Sequence, residues 1–252
     1  MFDGRPAYFD TVAQAYDRAR PTYPSAAVSY VLNRDTSGHP RILEAGSGTG
    51  LLTQRLRESG RPVTCIEPGP QMIESAKNRL ADDAVEFVLS TFEASSVPTG
   101  GFGAVASGQA FHWIGPAGFP KVATLLASGG VFGLLWNTDH PDKSETEVAM
   151  NPIYEEFNPD KNISPAPSSR DECRDALEVS PLFTGFAAEG FDWEVAYSTQ
   201  EYLNLLVTYS DVGMMPATDQ AGFLGKIGAV VDGFGGSFVK RYVCKVYSAI
   251  KP

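Results

Sequence analysis

A glycine-rich turn between two regular segments is the feature that most constrains the fold of this chain. Residues 41–56 read "RILEAGSGTGLLTQRL", in which an apolar, strand-like run passes through three alternate glycines into a helical pattern. Glycine permits positive φ and a close approach of a ligand to the backbone. A strand, a glycine turn and a helix in this order predict a nucleotide site at the carboxyl end of the strand.

Strand-like and helix-like segments alternate along the chain on both sides of this turn. The predicted strands are 41–45, 62–67, 84–90, 104–110, 130–137, 191–198 and 237–250, and the predicted helices between them include 51–60, 70–81, 119–127, 199–208 and 218–232. This alternation is typical of βαβ units with right-handed crossovers. It predicts an α/β class with a Rossmann-like, doubly wound sheet. The sheet has seven mostly parallel strands, the last antiparallel and at or near an edge, and helices on both faces.

A single domain over residues 1–252 is predicted, in four parts. Residues 1–35 form an N-terminal helical cap with helices at 9–19 and 25–33, the second capped by Ser25. Residues 36–137 form the cofactor-binding half, and residues 191–252 complete the sheet. Prolines interrupt the pattern after strand five, so residues 138–190 are predicted to be an insertion with helices at 144–157 and 169–180, acting with the cap as a lid.

Composition excludes several classes of partner. The formal net charge is -10, with 20 Lys+Arg against 30 Asp+Glu, and no basic run is present to bind nucleic acid or an anionic membrane surface. The three cysteines form no CxxC pair, no stretch approaches the roughly 20 apolar residues of a membrane span, and no signal peptide is recognisable. A cytoplasmic protein, monomeric or homodimeric, is expected. No acidic, His or Cys cluster has metal-ligand spacing, so no metal is expected.

Residues in and near the turn narrow the class of nucleotide. Leu51 stands where a dinucleotide fingerprint needs its third glycine, and no Gly-Lys-Ser/Thr follows for a phosphate loop. Glu44 places a carboxylate beside the turn, which suits an ammonium or sulfonium better than a phosphate. Glu67 ends the second strand, 21 residues after Gly46, where an acid accepts hydrogen bonds from ribose hydroxyls.

Residues 41–72 resemble the first two motifs of class I S-adenosylmethionine-dependent methyltransferases. "FDTVAQAYDRARPTYP" (9–24), "ASGQAFHWI" (106–114) and "STQEYLNLLVTYS" (198–210) resemble stretches of the small-molecule branch, which includes trans-aconitate methyltransferase-like enzymes. Relatives often have Asp where Gly103 stands and Pro where Ser128 stands, and these two departures from the family pattern are interpreted as structural. Relatives also often have Arg or Asp near Ser90 and Thr91, and this departure bears on the contact with the adenine amine.

The resemblance implies S-adenosylmethionine as cofactor and S-adenosylhomocysteine as product. The predicted cofactor-binding residues are Tyr16, Arg20, Glu44, Gly46, Ser47, Gly48, Gly50, Glu67, Pro68, Met72, Thr91, Phe92 and Gln109. The predicted substrate-binding residues are Tyr23, His112, Trp113 and Asn137. His112 is also the candidate general base, because an ordinary imidazole pKa near 6.5 suits that role.

Three functions remain open at this point. The first is methyl transfer by in-line displacement to an O, N or C atom of a small-molecule acceptor. The second is a non-methyl-transfer step on the same fold, such as a cyclisation or pericyclic reaction that uses the sulfonium as a fixed charge. The third is a non-catalytic binding module, against which the intact glycine turn counts.

Overall fold

A seven-stranded mixed sheet organises the chain in a computed structural model, which describes residue 10 and residues 13–81, 84–157 and 167–252. The strands are β1 (Ile42–Ala45), β2 (Val63–Glu67), β3 (Val85–Leu89), β4 (Phe102–Gly108), β5 (Leu126–Asp139), β6 (Thr184–Ser198) and β7 (Ser237–Ile250). Their order in the sheet is β3-β2-β1-β4-β5-β7-β6. The predicted fold class is confirmed.

Five of these strands run parallel, and their pairing brings their carboxyl ends together. Glu44 of β1 pairs with Cys65 of β2 on one side and with Ala106 of β4 on the other. Glu67 at the end of β2 pairs with Leu89 at the end of β3. The turns that follow β1, β2, β3 and β4 therefore lie together along the carboxyl-terminal edge of the sheet, where the parallel strands end. Ligands bind along this edge in sheets of this class.

The last two strands in the sheet order are antiparallel to their neighbours. Gly129 donates its N–H to Lys251 O over 2.9 Å, and Thr138 Oγ1 donates to Val243 O over 3.1 Å, so numbering falls along β7 as it rises along β5. β7 is also antiparallel to β6, because Thr184, the first residue of β6, donates its hydroxyl to the carbonyl of Ile250, the last residue of β7. β7 is thus one strand in from the edge, and β6 is the edge strand.

The structure describes ten α-helices. They are α1 (Ala13–Ala19), α2 (Ser25–Leu32), α3 (Leu51–Arg57), α4 (Pro70–Leu80), α5 (Phe119–Leu125), α6 (Glu145–Phe157), α7 (Pro167–Glu178), α8 (Thr199–Val207), α9 (Ser210–Gly213) and α10 (Ala217–Gly233). Short 3-10 turns occupy Phe111–Trp113 and Pro116–Gly118. In the described ranges, no helix is both long enough and apolar enough to cross a membrane.

The predicted Ser25 cap is wrong. Ser25 is the first residue of α2, and the residue before it, Pro24, is the N-cap, in an extended conformation with no side-chain cap. The Ser25 hydroxyl instead donates to Glu58 Oε2 over 3.0 Å. Proline has no side-chain acceptor and fixes φ near its own ring geometry, so the helix begins without a polar cap.

Several strands differ from the predicted boundaries, and β5, predicted over 130–137, spans Leu126–Asp139. β4 ends at Gly108 rather than at residue 110, because Gln109 adopts φ +56° and turns the backbone out of the strand. β6 begins at Thr184, inside the predicted 138–190 insertion. The first half of β6 is largely exposed at the sheet edge, so burial imposes no apolar–polar alternation there that a sequence pattern could reveal.

The described chain divides into two compact units. The first, here called the sheet unit, comprises Thr22–Thr138, Ser168–Phe191 and Val243–Pro252. The second, the accessory unit, comprises Met1–Pro21, Asp139–Pro167 and Asp192–Tyr242. The organisation as one functional domain stays a prediction.

Aromatic rings fill the core of the sheet unit. Phe132 of β5 contacts Phe111, Phe119 and Phe183, with ring centroids 5.0, 5.7 and 5.7 Å away. Cys173 of α7 is fully buried in the same cluster. Helix α7, predicted to belong to the insertion, therefore packs as part of the core of the sheet unit.

The accessory unit has a core of its own, built on paired tyrosines. The hydroxyls of Tyr154 and Tyr202 lie 2.9 Å apart, and those of Tyr197 and Tyr242 lie 3.0 Å apart. Phe223 of α10 is fully buried among them. Each buried hydroxyl thus has a hydrogen-bond partner, as burial of a polar group requires.

Candidate functional site

The glycine turn after β1 has the left-handed backbone that its sequence predicts. Gly46, Gly48 and Gly50 have φ values of +72°, +55° and +83°. A Cβ added at Gly46 would lie 2.6 Å from the Cβ of Ala110, so glycine is required there by sterics as well as by φ. A Cβ added at Gly48 would meet nothing within 4 Å. Gly48 therefore borders open space at the ligand-binding edge of the sheet.

Glu67 joins the turns that follow β1 and β2. Its Oε2 accepts a hydrogen bond from Gly48 N–H and its Oε1 accepts one from Gly69 N–H, each 2.9 Å long. The residue is 9% exposed. A carboxylate offers about four lone-pair sites, and two of the bonds of this one bridge the two turns.

Glu44 lies beneath the turn and is almost completely buried. Its Oε2 accepts a hydrogen bond of 2.6 Å from the Thr53 hydroxyl of α3. Burial, and to a smaller extent repulsion by Glu67, raises the pKa of Glu44 to about 8, although the hydrogen bond from Thr53 lowers it. Glu44 is therefore largely protonated at pH 7, and a cation nearby would favour its ionised form.

Replacing Glu44 by glutamine is expected to stabilise the fold as the pH rises. The folded protein holds a proton on Glu44 up to about pH 8, whereas the unfolded chain releases it near 4.5, so wild-type stability falls across that interval. Each unit of pKa difference is worth about 1.4 kcal/mol. Glu44→Gln, which keeps an oxygen for Thr53, should match wild type near pH 4.5 and exceed it by several kcal/mol at pH 9. Urea unfolding at both pH values measures the difference.

The control for this prediction is Glu86→Gln. Glu86 is exposed on the neighbouring part of the sheet and pairs with Arg41 at 2.8 Å, so it should show no such gain with pH. Equal pH dependence of stability in Glu44→Gln and in the wild type would contradict the assignment of a buried, protonated carboxyl.

His112 follows β4 and is mostly enclosed. Its ring centroid lies 4.7 Å from that of Trp113, and its Nδ1 is buried with no hydrogen-bond partner among the described residues. Burial, and secondarily the positive charge of Arg170, lowers the pKa of His112 to about 4. The imidazole is therefore neutral at pH 7. It is a weaker base than the ordinary imidazole, with a pKa near 6.5, that was expected from the sequence.

Gln109, Asn137 and Tyr23 gather at the carboxyl ends of β4 and β5. Gln109 Nε2 donates to Asn137 O over 2.8 Å, and Asn137 Nδ2 donates to Thr22 O over 2.8 Å. The buried Tyr23 ring covers Gly108, where an added Cβ would lie 2.7 Å from Tyr23 Cζ. The structure thus brings these three predicted residues to one end of the sheet, with Gln109 in a φ that non-glycine residues seldom adopt.

The buried atoms Thr49 Oγ1, His112 Nδ1 and Asn137 Oδ1 at this edge have no hydrogen-bond partner among the described residues. Buried polar atoms in folded proteins are nearly always bonded. Ser47, in the same turn as Thr49, is also buried. A polar ligand at this edge fits such a set of atoms, since it would supply the missing partners.

The predicted residues on the β2 and β3 side divide by exposure. Pro68 and Thr91 are exposed, as a direct contact with a ligand requires. Met72 and Phe92 are each only 4% exposed, and the Phe92 ring packs edge-on against Phe111 at 5.9 Å. The Phe92 ring thus belongs to the core rather than standing open beside a base.

Tyr16 and Arg20 lie in the accessory unit. Arg20 donates from Nε to Thr208 Oγ1 over 2.7 Å and from Nη2 to Thr208 O over 3.0 Å. Its guanidinium also stacks on the rings of Tyr209, at 3.9 Å, and Tyr16, at 4.9 Å. These contacts hold α1 to α8 and α9, and the predicted cofactor role of both residues stays a prediction.

Thr53 is a site residue that the sequence reasoning missed. It is a fully buried polar residue on the otherwise apolar face of α3, beside Leu52 and Leu56. This polar residue at an otherwise apolar position of the helix is the feature of the sequence that could have identified it.

The departure at Gly103 also has an explanation, because Asp35 and Arg61, paired at 2.8 Å, occupy the space that a side chain there would need.

Within the described ranges, no three His, Cys, Asp or Glu side chains lie where they could together hold a metal ion.

Comparisons with known proteins agree with this geometry. Residues 42–130 match the family model described as "Methyltransferase domain". An uncharacterised methyltransferase of Mycobacterium bovis is 37% identical over 131 residues, which is 52% of each chain, so the match spans about half the length of that relative.

Two solved structures share the fold. A proposed type II methyltransferase from Anaeromyxobacter dehalogenans superposes with a TM-score of 0.70 at 20% identity, covering 91% of this chain and 96% of the other. Phosphoethanolamine N-methyltransferase 2 of Haemonchus contortus, in complex with S-adenosyl-L-methionine, has a TM-score of 0.57 at 16% identity, covering 100% of this chain and 59% of the other. Residues 42–130 of the chain are therefore similar to methyltransferase domains, and the chain has the Rossmann-like fold of these two methyltransferase structures.

Proposed function

We propose that this chain binds S-adenosylmethionine and transfers its methyl group to a small-molecule acceptor, at an O, N or C atom. The observation that carries the proposal is the bond from Gly48 N–H to the Glu67 carboxylate. It places a carboxylate directly beside the open face of a glycine turn. That arrangement suits a ribose lying flat on the turn with its hydroxyls directed to Glu67.

Charge and hydrogen bonding around the turn suit a cationic nucleoside. The Glu67 carboxylate makes the pocket unfavourable for phosphates, and a bound ammonium or sulfonium would favour the ionised form of Glu44. The Haemonchus structure, which shares the fold, holds S-adenosyl-L-methionine. The cofactor, when bound, supplies an electrophilic methyl carbon, and the residues of this chain would hold its amino acid and ribose parts at the turn.

The acceptor is proposed to bind at the ends of β4 and β5, beside His112, Trp113 and Asn137. Neutral His112 has an unpartnered Nδ1 that can accept a hydrogen bond from the acceptor. Its low pKa makes it a weak base, so it orients an acceptor that is already nucleophilic better than it activates a poorly acidic alcohol. Much of the rate would then come from holding the acceptor atom in line with the methyl carbon.

The test compares two glycine-to-alanine variants by calorimetric titration with S-adenosylmethionine. Gly48 and Gly60 both have positive φ, at +55° and +75°, and an added Cβ at either meets nothing within 4 Å. Both substitutions should therefore cost a similar roughly 1–2 kcal/mol of stability through backbone strain. Only Gly48→Ala should also weaken binding, by about tenfold or more, because its Cβ enters the space beside Glu67.

Failure of the folded wild-type protein to bind S-adenosylmethionine at millimolar concentration would refute the proposal. Equal affinity in Gly48→Ala and Gly60→Ala would refute the location of the site. Accumulation of S-adenosylhomocysteine with turnover distinguishes methyl transfer from a cyclisation or pericyclic step, which would leave the cofactor unconsumed.

A further inference from the structure

The turn that follows β3 is closed by its own hydrogen bonds. Ser95 N–H donates to Thr91 O over 3.0 Å, Ala94 N–H donates to Thr91 Oγ1 over 3.3 Å, and Ser95 Oγ donates to Phe92 O over 2.8 Å. These bonds fold residues 91–95 into a single tight turn. The turn leaves main-chain carbonyl oxygens at its far end that need further donors.

Lys121 of α5 supplies those donors. Its Nζ lies 2.6 Å from Phe92 O, 3.0 Å from Glu93 O and 2.7 Å from Ser95 O, and it lies 3.0 Å from Ser95 Oγ. The same ammonium lies 5.3 Å from the centroid of the Phe92 ring. A single cation thus lies within hydrogen-bond distance of three main-chain carbonyls of this turn, and charge-assisted bonds of this kind are stronger than neutral ones.

The held turn starts beside the acid that we assign to the ribose. Leu89, the last residue of β3, pairs with Glu67, and Ser90 N–H donates to Glu67 O over 3.1 Å. Neighbouring strands lie about 4.8 Å apart, so Thr91 and Phe92 lie roughly one strand spacing from the ribose position. A base attached to a ribose at Glu67 would extend across this spacing toward the turn.

This part of the chain has no charged side chain at the start of the turn. Ser90 and Thr91, the residues at its start, are both uncharged. Recognition of a base here would therefore depend on the position of the backbone, and that position depends on what anchors the turn.

We propose that Lys121 is a positioning residue that holds the turn of residues 91–95 so that the backbone of Thr91 and Phe92 borders the adenine end of the cofactor. The inference rests on the proposed function, since it assigns the base-binding end of that same site. Lys121 itself does not touch the cofactor and acts through the carbonyls that it binds.

The test uses Lys121→Met with Lys251→Met as a matched control. Lys251 also donates its Nζ to a backbone carbonyl, Leu126 O at 2.6 Å, but at the start of β5, the opposite end of the parallel strands. Calorimetry with S-adenosylhomocysteine should show affinity about tenfold weaker in Lys121→Met and within about twofold of wild type in Lys251→Met. Lys121→Arg, which keeps a cation with several donors, should recover part of the loss.

A second probe, S-inosylhomocysteine, separates positioning from general loosening, because it differs from the first only at the edge of the base. Wild type should prefer the adenine compound, and Lys121→Met should lose most of that preference. Equal weakening of both compounds, or an unchanged preference, would overturn the assignment of Lys121, as would the absence of any preference in the wild type. If the wild type binds neither compound, the proposed function fails instead.

Discussion

Replacing Glu67 by alanine is expected to weaken binding of S-adenosylhomocysteine by about 100-fold, the loss expected when a charged acceptor of two ligand hydrogen bonds is removed. The carboxylate has two tasks in the proposed site. It would accept both ribose hydroxyls, and it already binds the N–H groups of Gly48 and Gly69 at 2.9 Å. Alanine removes the acceptor and frees both turns, so affinity should fall through lost contacts and lost preorganisation. Isothermal calorimetry measures the change.

Two further variants make this result specific. Glu67→Gln keeps the shape and one acceptor oxygen, so it should lose about tenfold. Glu86→Ala removes an exposed carboxylate from the adjacent strand β3 and should leave affinity unchanged. If a folded Glu67→Ala protein binds S-adenosylhomocysteine as tightly as the wild type, Glu67 is not the ribose ligand.

Replacing Lys240 by methionine is expected to lower the free energy of unfolding by about 3–5 kcal/mol. Lys240 is 5% exposed, and its Nζ lies 2.9 Å from both Asp139 Oδ1 and Glu147 Oε1. Burial alone would lower the pKa of Lys240, but attraction by the two carboxylates outweighs it and raises that pKa above its ordinary value. Methionine would leave Glu147, itself 7% exposed, as a buried charge without its cation. Urea unfolding followed by circular dichroism measures the loss.

Lys226→Met is the matched control for Lys240→Met. Lys226 also pairs with a carboxylate, Glu156 at 2.5 Å, but both side chains are about half exposed, so the loss should be at most about 1 kcal/mol. The double variant Lys240→Met with Glu147→Gln should recover part of the stability, because it removes the uncompensated charge. Equal losses of stability in Lys240→Met and Lys226→Met would show that the buried ion pair contributes no more to the free energy of unfolding than the exposed one.

The strands of the sheet and the place of the glycine turn were predictable because both leave local signals. A strand buried on both faces is a continuous apolar run, and Gly46, Gly48 and Gly50 mark a backbone that only glycine adopts freely. The position of Glu67 beside the glycine turn was also predictable, because parallel strands align their carboxyl ends. The exposed first half of β6 was not predictable, because no burial pattern is imposed on it.

The amino-acid sequence by itself determined the fold class, the turn and the acids beside it, since these follow from spacing along neighbouring segments. Only the tertiary structure decided the protonation of the site. Glu44 has its pKa raised by burial under α3, and His112 has its pKa lowered by burial and by Arg170, which is remote in sequence. Solvation and charge depend on which distant residues fold against a group. For the same reason, the sequence did not distinguish Lys121 and Lys240 from other lysines. Only the folded structure places Lys121 beside backbone carbonyls, and Lys240 beside carboxylates, that are distant in sequence.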